Sequence, residues 1–188
     1  IYDDSMWLVN LTENLLSITR IENGTMPLHR NAELIDDIFH EALSHIDRRA
    51  VEHEIHVELA DDMLMANIDA RLIVQVIINI VNNAIKYTPE GSDICLSAKK
   101  ENSMVRIEIA DTGSGISDEA KQRLFDMFYT ANTGSAEADS RRGLGLGLSL
   151  CKSIVKAHGG SIIVYDNQPH GAVFSFTLPL EEVKMQNV

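Results

Sequence analysis

The segment Ala70–Tyr87 constrains the fold most, because Ile73, Val76, Ile77, Ile80, Val81 and Ala84 recur in it at helical spacing. That stripe is too broad to face water, so this helix belongs in a core. Around it the apolar period switches repeatedly between 3.6 and 2. The spacing predicts further helices at Tyr2–Glu22, Glu33–Arg49 and Asp118–Phe125, and a last one that opens among glycines and closes at His158, before Gly159-Gly160. Strands are predicted at Glu54–Leu59, Asp93–Lys99, Met104–Ala110, Ser161–Asp166 and Ala172–Leu178, separated by turn residues. Hairpins outnumber βαβ units. The fold class expected is therefore α/β (α+β), a two-layer sandwich whose mixed, largely antiparallel sheet is covered on one face by helices.

Composition narrows the function classes. The 188 residues carry 16 basic against 28 acidic side chains, a formal charge of -12. Such a surface does not track nucleic-acid phosphates, so no nucleic-acid partner is expected, although a local basic cluster can still hold a small anion. Gln75 and Asn79 interrupt the longest apolar run, Leu72–Val81, well short of the ~18 residues a spanning helix needs. Cys95 and Cys151 form no CxxC pair, which fits a reducing compartment. The chain opens on Ile1 with no signal-like segment and reads as an excised piece.

In Tyr2–Glu22, Leu8, Leu11, Leu15 and Ile18 make a narrow apolar seam that Asn23-Gly24 and Pro27 bring to a stop. A lone helix of this length is marginal in water. It is either a capping helix on the next domain or one arm of a helical hairpin or dimer. The expected organisation is a helical arm at 1–24, a linker at 25–31, a main domain at 32–181 and a tail at 182–188.

Three motifs carry the chemistry. On Ala70–Tyr87, Asn79, Asn83 and Lys86 share a face within about 60° at 100° per residue. An amide oxygen suits Mg²⁺ whose other ligands are phosphates; a solvated polar face is the plainer alternative. Next, Asp111-Thr-Gly113-Ser-Gly115-Ile116 follows a strand. A carboxylate there can accept from an exocyclic amine of adenine, yet Asp-Thr-Gly alone also describes an ordinary turn. Third, Arg141-Arg142-Gly143-Leu144-Gly145-Leu146-Gly147-Leu148-Ser149 is neither a Walker A loop nor a Rossmann fingerprint. Its alternate glycines let backbone amides approach an anion at a helix start, or else form a hinge.

Together these motifs resemble the catalytic and ATP-binding domain of sensor histidine kinases, in the GHKL superfamily shared with gyrase, HSP90 and MutL. Asn79–Tyr87 is similar to the N box, Asp111–Ile116 to the G1 box, Phe125–Tyr129 to the F box and Gly143–Leu148 to the G2 box. The resemblance implies the Bergerat ATP-binding fold with ATP and Mg²⁺ as cofactors. It implies that Asn83 holds the metal and that Asn79 and Lys86 act at the phosphates as catalytic residues. Asp111 then reads adenine, with Tyr87 flanking the ring and Gly113, Gly115, Ile116 and Tyr129 shaping the site. Arg142, Gly143, Leu144, Gly145, Leu146, Gly147 and Leu148 cradle the phosphates behind a mobile lid at Ala131–Arg142. Thr177 is placed near the adenine end.

By the same resemblance, residues 1–24 end a dimerisation and phosphoacceptor hairpin. Implied partners are the chain's own upstream acceptor helix, a response regulator and a second copy in the full-length protein, and the implied setting is the cytoplasmic side of a membrane-anchored bacterial sensor. Finer features, Ala138–Gly143 and His158-Gly159-Gly160, are similar to potassium-responsive Kdp sensor kinases.

Relatives in the superfamily that hydrolyse ATP mostly carry Glu where this chain has Asn79, and an amide is no base at neutral pH. Transfer to a histidine is thus expected over hydrolysis, with a degenerate nucleotide-binding interaction module as the third reading. His40-Glu41 and His53-Glu54 share only two residues with the family's H box, so the acceptor is expected upstream of Ile1. His158 is expected to complement a helix dipole. His29, His45, His56 and His170 have no sequence companions that point to a metal.

Overall fold

The computed structural model describes residues 2–61, 63–130 and 145–182. Helix α1 spans Tyr2–Glu22 and is followed by β1 (Asn31–Leu34) and α2 (Ile35–Ser44). A short 3-10 turn (Arg48–Glu52) leads to β2 (Glu54–Leu59), β3 (Met65–Ile68) and α3 (Ala70–Tyr87). Then come β4 (Asp93–Glu101), β5 (Met104–Asp111), α4 (Asp118–Arg123), α5 (Gly147–Ala157), β6 (Ile162–Asp166) and β7 (Ala172–Pro179).

The main sheet has the order β2-β4-β5-β7-β6, with β2 and β4 parallel and every other pair antiparallel. Period-2 alternation puts Ile94, Leu96 and Ala98 of β4 on the inner face, beside Val105, Ile107 and Ile109 of β5 and Phe174, Phe176 and Leu178 of β7. Helix α3 packs on that face between α2 and α5, and Ile73, Val76, Ile77, Ile80 and Val81 have no exposed surface. Full burial of such a side chain contributes about 1.5–3 kcal/mol relative to exposure. This is the sandwich expected from the sequence.

The expected helix over Glu33–Arg49 is shorter. Asn31–Leu34 pairs antiparallel with Met65–Ile68 to form a two-stranded sheet, and α2 starts only at Ile35. Neither four-residue strand is long enough to show a period; pairing across thirty residues creates both.

Helix α1 also departs from its expected seam. Ile18 is buried, and Leu11 and Ile21 pack against the core, whereas Leu15 is 40% exposed. The helix lies along α5, where the Ser153 hydroxyl donates to Glu22 Oε1 at 3.1 Å. Both cysteines are free, and burial pushes the Cys151 thiol up to about 12.

The N-terminus of α3 is capped by Asp69, which accepts from the Leu72 amide at 3.4 Å and the His29 amide at 3.0 Å. The Asp69 amide in turn donates to His158 Nε2 at 3.0 Å, and His158 Nδ1 lies 2.8 Å from the Ile154 carbonyl. Those partners require a neutral ring with its proton on Nδ1. His158 is completely buried, and burial lowers its pKa. The ring complements the helix end as expected, its Nδ1–H donating to a last-turn carbonyl, and it does so neutral because desolvation disfavours the charged form.

Because the folded-state pKa lies below the unfolded one, the unfolded chain takes up the proton first as pH falls. His158 therefore stabilises the fold fully above about pH 6.5, the ordinary imidazole value, and progressively less below it. Urea unfolding at pH 8 and 5.5 checks this. The wild type is expected to lose stability at the lower pH, and His158→Gln to lose less of it. An equal loss in both proteins contradicts the assignment.

Candidate functional site

The C-terminal half of α3, the end of β5, the turn into α4 and the start of α5 enclose a cavity of about 480 Å³. That volume suits a small organic ligand.

Asp111 closes one end. It continues the inward register of Val105, Ile107 and Ile109, so alternation alone buries a carboxylate at the strand terminus. It is 8% exposed. Its Oδ1 accepts from the Gly113 amide at 2.9 Å and the Ala172 amide at 3.2 Å, which leaves Oδ2 as the oxygen a ligand can meet. Burial pushes its carboxyl above the usual range, and the two amides oppose that shift. Gly171 presses against the same strand end: an added Cβ would lie 1.9 Å from the Asp111 carbonyl oxygen. The walls here are apolar, with Ile116, Leu124 and Phe174 lining the cavity. Phe125 meets Phe174 edge-on at 6.4 Å.

The start of α5 closes the other end. Gly145 has φ +66, and a Cβ there would lie 2.5 Å from the Tyr129 carbonyl oxygen, so only glycine lets the two segments touch. The Phe128 amide donates to the Gly145 carbonyl at 3.0 Å and pins them together. Gly147 opens α5, whose first amides have no partners within the helix and face an anion favourably. Lys86 lies nearby on α3, its Nζ 4.9 Å from the centre of the Tyr87 ring.

Most of the sequence-predicted residues come together here. Asn83, Lys86 and Tyr87 line the cavity from α3; Asp111, Gly115 and Ile116 line it from the turn after β5. Tyr129 and Gly145–Leu148 complete it. Gly113 stands behind the wall, where an added Cβ would meet Thr88 Cγ2 at 2.6 Å. Asn79 lies beneath Gly147, its Nδ2 donating to the Gly147 carbonyl at 3.5 Å, and does not line the cavity. Arg142, Gly143, Leu144 and the lid at 131–142 lie outside the described residues.

Thr177 is not brought to the site. It pairs with Arg106, five residues along β7 from the cavity end, and its hydroxyl accepts from the Ser161 amide at 3.0 Å. The β7 residue at the carboxylate is Ala172. Counting back in twos from Phe176 finds it, since Phe174 and Ala172 share its inward face. Thr88 and Asn14 also line the cavity and were missed. Thr88 follows the predicted helix by one residue; Asn14 carries no local signal at all.

Among the described residues, no histidine lines the cavity. His56, read as lacking companions, has them: parallel pairing of β2 with β4 brings ligand atoms of Glu54, His56 and Asp93 within 4.8 Å of one another, all exposed. That neighbourhood depends on strand order, which the sequence does not display.

A family model described as histidine kinase-, DNA gyrase B-, and HSP90-like ATPase matches residues 68–182. Sensor protein KdpD of Clostridium acetobutylicum is 42% identical over 96% of this chain and 20% of that protein. Sensor histidine kinase WalK of Bacillus subtilis is 34% identical over 93% of this chain and 29% of its own length. The chain thus spans less than a third of either curated relative. Among solved structures, the nucleotide-free catalytic domain of histidine kinase ThkA has a TM-score of 0.70 and 28% identity, covering 82% of this chain and 98% of that one. Full-length ShkA in complex with AMPPNP has a TM-score of 0.79 and 26% identity, covering 94% of this chain and 36% of that one. The two-layer sandwich is the Bergerat fold of these catalytic domains.

Proposed function

The chain belongs to the family of histidine kinase-, DNA gyrase B- and HSP90-like ATPases, and from that premise we propose that it is the ATP-binding catalytic domain of a sensor histidine kinase. It transfers the γ-phosphoryl group of ATP to a histidine outside this chain, for relay to a response-regulator aspartate. The observation that carries this reading is a cavity with a buried carboxylate, Asp111, at one end and the first amides of α5, which have no partners within the helix, at the other. The first matches an adenine amine and the second a polyphosphate.

Asn83 supplies the amide oxygen for Mg²⁺, a fit in chemistry because one neutral donor leaves the remaining positions to phosphate oxygens and water. Bound there, the ion supplies neutralisation of phosphate charge. Lys86 adds a cation on the same helix, and Arg142 is assigned a similar role. Catalysis is then largely positioning and electrostatics. The acceptor imidazole's unprotonated nitrogen forms the new N–P bond as the bond from the γ-phosphorus to the bridging oxygen breaks, and ADP leaves. Asn79, an amide beneath Gly147, offers no base to activate water, which favours transfer over hydrolysis.

Similarity to the clostridial KdpD supports a finer reading, signalling of potassium or osmotic stress on the cytoplasmic side of a membrane-anchored sensor. No helix among the described residues is long and apolar enough to cross a membrane. Val9, Leu15 and Leu16 of α1 are 40–49% exposed, which fits a helical partner in a dimeric full-length protein.

Calorimetry with AMPPNP, with and without Mg²⁺, tests the reading. Saturable binding that Mg²⁺ strengthens is expected, and no binding at millimolar ligand would refute it. Asn83→Ala is expected to erase the metal's contribution, on the order of tenfold, while leaving adenosine binding unchanged; equal losses for both ligands exclude the metal role. Steady phosphate release without an added H-box hairpin would instead favour hydrolysis.

A further inference from the structure

The ATPase match begins at residue 68, yet the cavity has a wall from far upstream: Asn14 of α1 lines it. The way α1 is docked shows which end of the cavity it reaches. Glu22 accepts from Ser153 in the middle of α5, and the linker continues the contact through Arg30, whose Nη2 donates to the Ala157 carbonyl at 2.6 Å. The two helices therefore lie with their C-terminal ends together. Eight residues back along α1 is about 12 Å, and six residues back from Ser153 to Gly147 is about 9 Å, at 1.5 Å per residue. Asn14 thus stands beside the start of α5, at the end assigned above to the phosphates.

Its position in α1 is equally informative. Leu11, Asn14, Ile18 and Ile21 follow a 3-4-3 spacing along one face, and the three apolar members pack on the core. Asn14 is half-buried and is the single polar member, at the point where the seam crosses the cavity. An apolar residue would serve packing there better. An amide can donate from Nδ2 to a phosphate oxygen without adding negative charge in a chain that already carries -12.

We infer that Asn14 is a nucleotide-contacting residue at the phosphate end of the site, contributed by α1, so that nucleotide binding and the docking of α1 on α5 reinforce each other. This rests on the nucleotide-binding reading of the cavity. By linkage, whatever factor docked α1 adds to nucleotide affinity, the nucleotide adds to docking. A helix outside the ATPase match is thereby held in place by the state of the site.

The test uses the whole chain with Asn14→Ala, a change that favours helix formation, and Leu16→Ala on the exposed side of α1 as control. Calorimetry with AMPPNP and with adenosine is combined with amide hydrogen exchange across Leu11–Ile18. Asn14→Ala is expected to weaken AMPPNP binding about tenfold, a charge-assisted hydrogen bond's worth, with adenosine unchanged and Leu16→Ala at wild-type affinity. AMPPNP is expected to slow exchange along α1 in the wild type and less so in Asn14→Ala. Unchanged AMPPNP affinity in the variant, an equal loss for both ligands, or exchange in α1 indifferent to AMPPNP overturns the inference while leaving the nucleotide site standing. A wild type that binds no AMPPNP removes both.

Discussion

Asp111→Asn is expected to lower AMPPNP affinity about 100-fold, about 2.8 kcal/mol, without lowering thermal stability. The two effects separate because the carboxylate's oxygens do different things. Oδ1 already accepts from the Gly113 and Ala172 amides, so an asparagine has to keep its carbonyl oxygen there, where an NH₂ group would face two donors. Its amide nitrogen is then forced to the Oδ2 position, toward the cavity. A donor there confronts the donor amine of adenine, and neither is satisfied. The fold, meanwhile, keeps both backbone bonds and loses a buried charge whose pKa burial has raised. Guanine presents a carbonyl where adenine has its amine, so the preference for ATP over GTP should narrow or reverse. Calorimetry with both nucleotides and a thermal melt check this together. Unchanged selectivity refutes the adenine assignment; a collapsed melting temperature shows that Asp111 is chiefly structural.

Gly171→Ala has the largest expected effect on stability, a loss of about 4 kcal/mol or more, or a fall in Tm on the order of 10–15 °C. The new Cβ would lie 1.9 Å from the Asp111 carbonyl oxygen, at φ +113. That oxygen cannot withdraw freely, because Asn167 Nδ2 donates to it at 2.8 Å while the Asn167 amide holds the Gly171 carbonyl at 3.0 Å. Gly147→Ala is the contrasting case. Among the described residues its Cβ would find nothing nearer than the Asn79 side chain at 3.8 Å, so stability should stay within about 0.5 kcal/mol. Nucleotide affinity should nevertheless fall, because Gly147 lines the cavity and a side chain there adds bulk at the start of α5, the end assigned to phosphate. Melts and AMPPNP titrations of both variants distinguish a glycine that the fold requires from one that the ligand requires. A Gly171→Ala protein that melts with the wild type would contradict the geometry.

How much of this could be read from the chain depended on how local each signal was. The stripe of α3 and the alternation in β5 and β7 were legible because burial of one face writes a period directly into sequence. The same period placed Asp111 at the inward end of its strand. The glycine run near Gly145 and Gly147 was legible too, since a close backbone approach excludes side chains. Thr177 was misplaced because motif similarity located it without a register; the ladder with β5 sets it against Arg106, and Ala172 takes the position at the carboxylate. The place of His158 at a helix end was legible, but its neutral state was not, because that depends on burial and on the Asp69 amide, 89 residues away in sequence, donating to Nε2.

The sequence by itself determined the elements with a period and the three motifs that line the cavity, because each is a run of neighbouring residues whose spacing is its chemistry. The tertiary structure decided which elements meet. It paired β1 with β3, turned α1 so that Ile18 is buried and Leu15 exposed, and carried Asn14 to a site built from residues 69 to 160 positions downstream. Those outcomes depend on how faces of separate elements fit one another. A helix seam of Leu11, Leu15 and Ile18 can turn toward more than one neighbour, and only packing against α5 chooses.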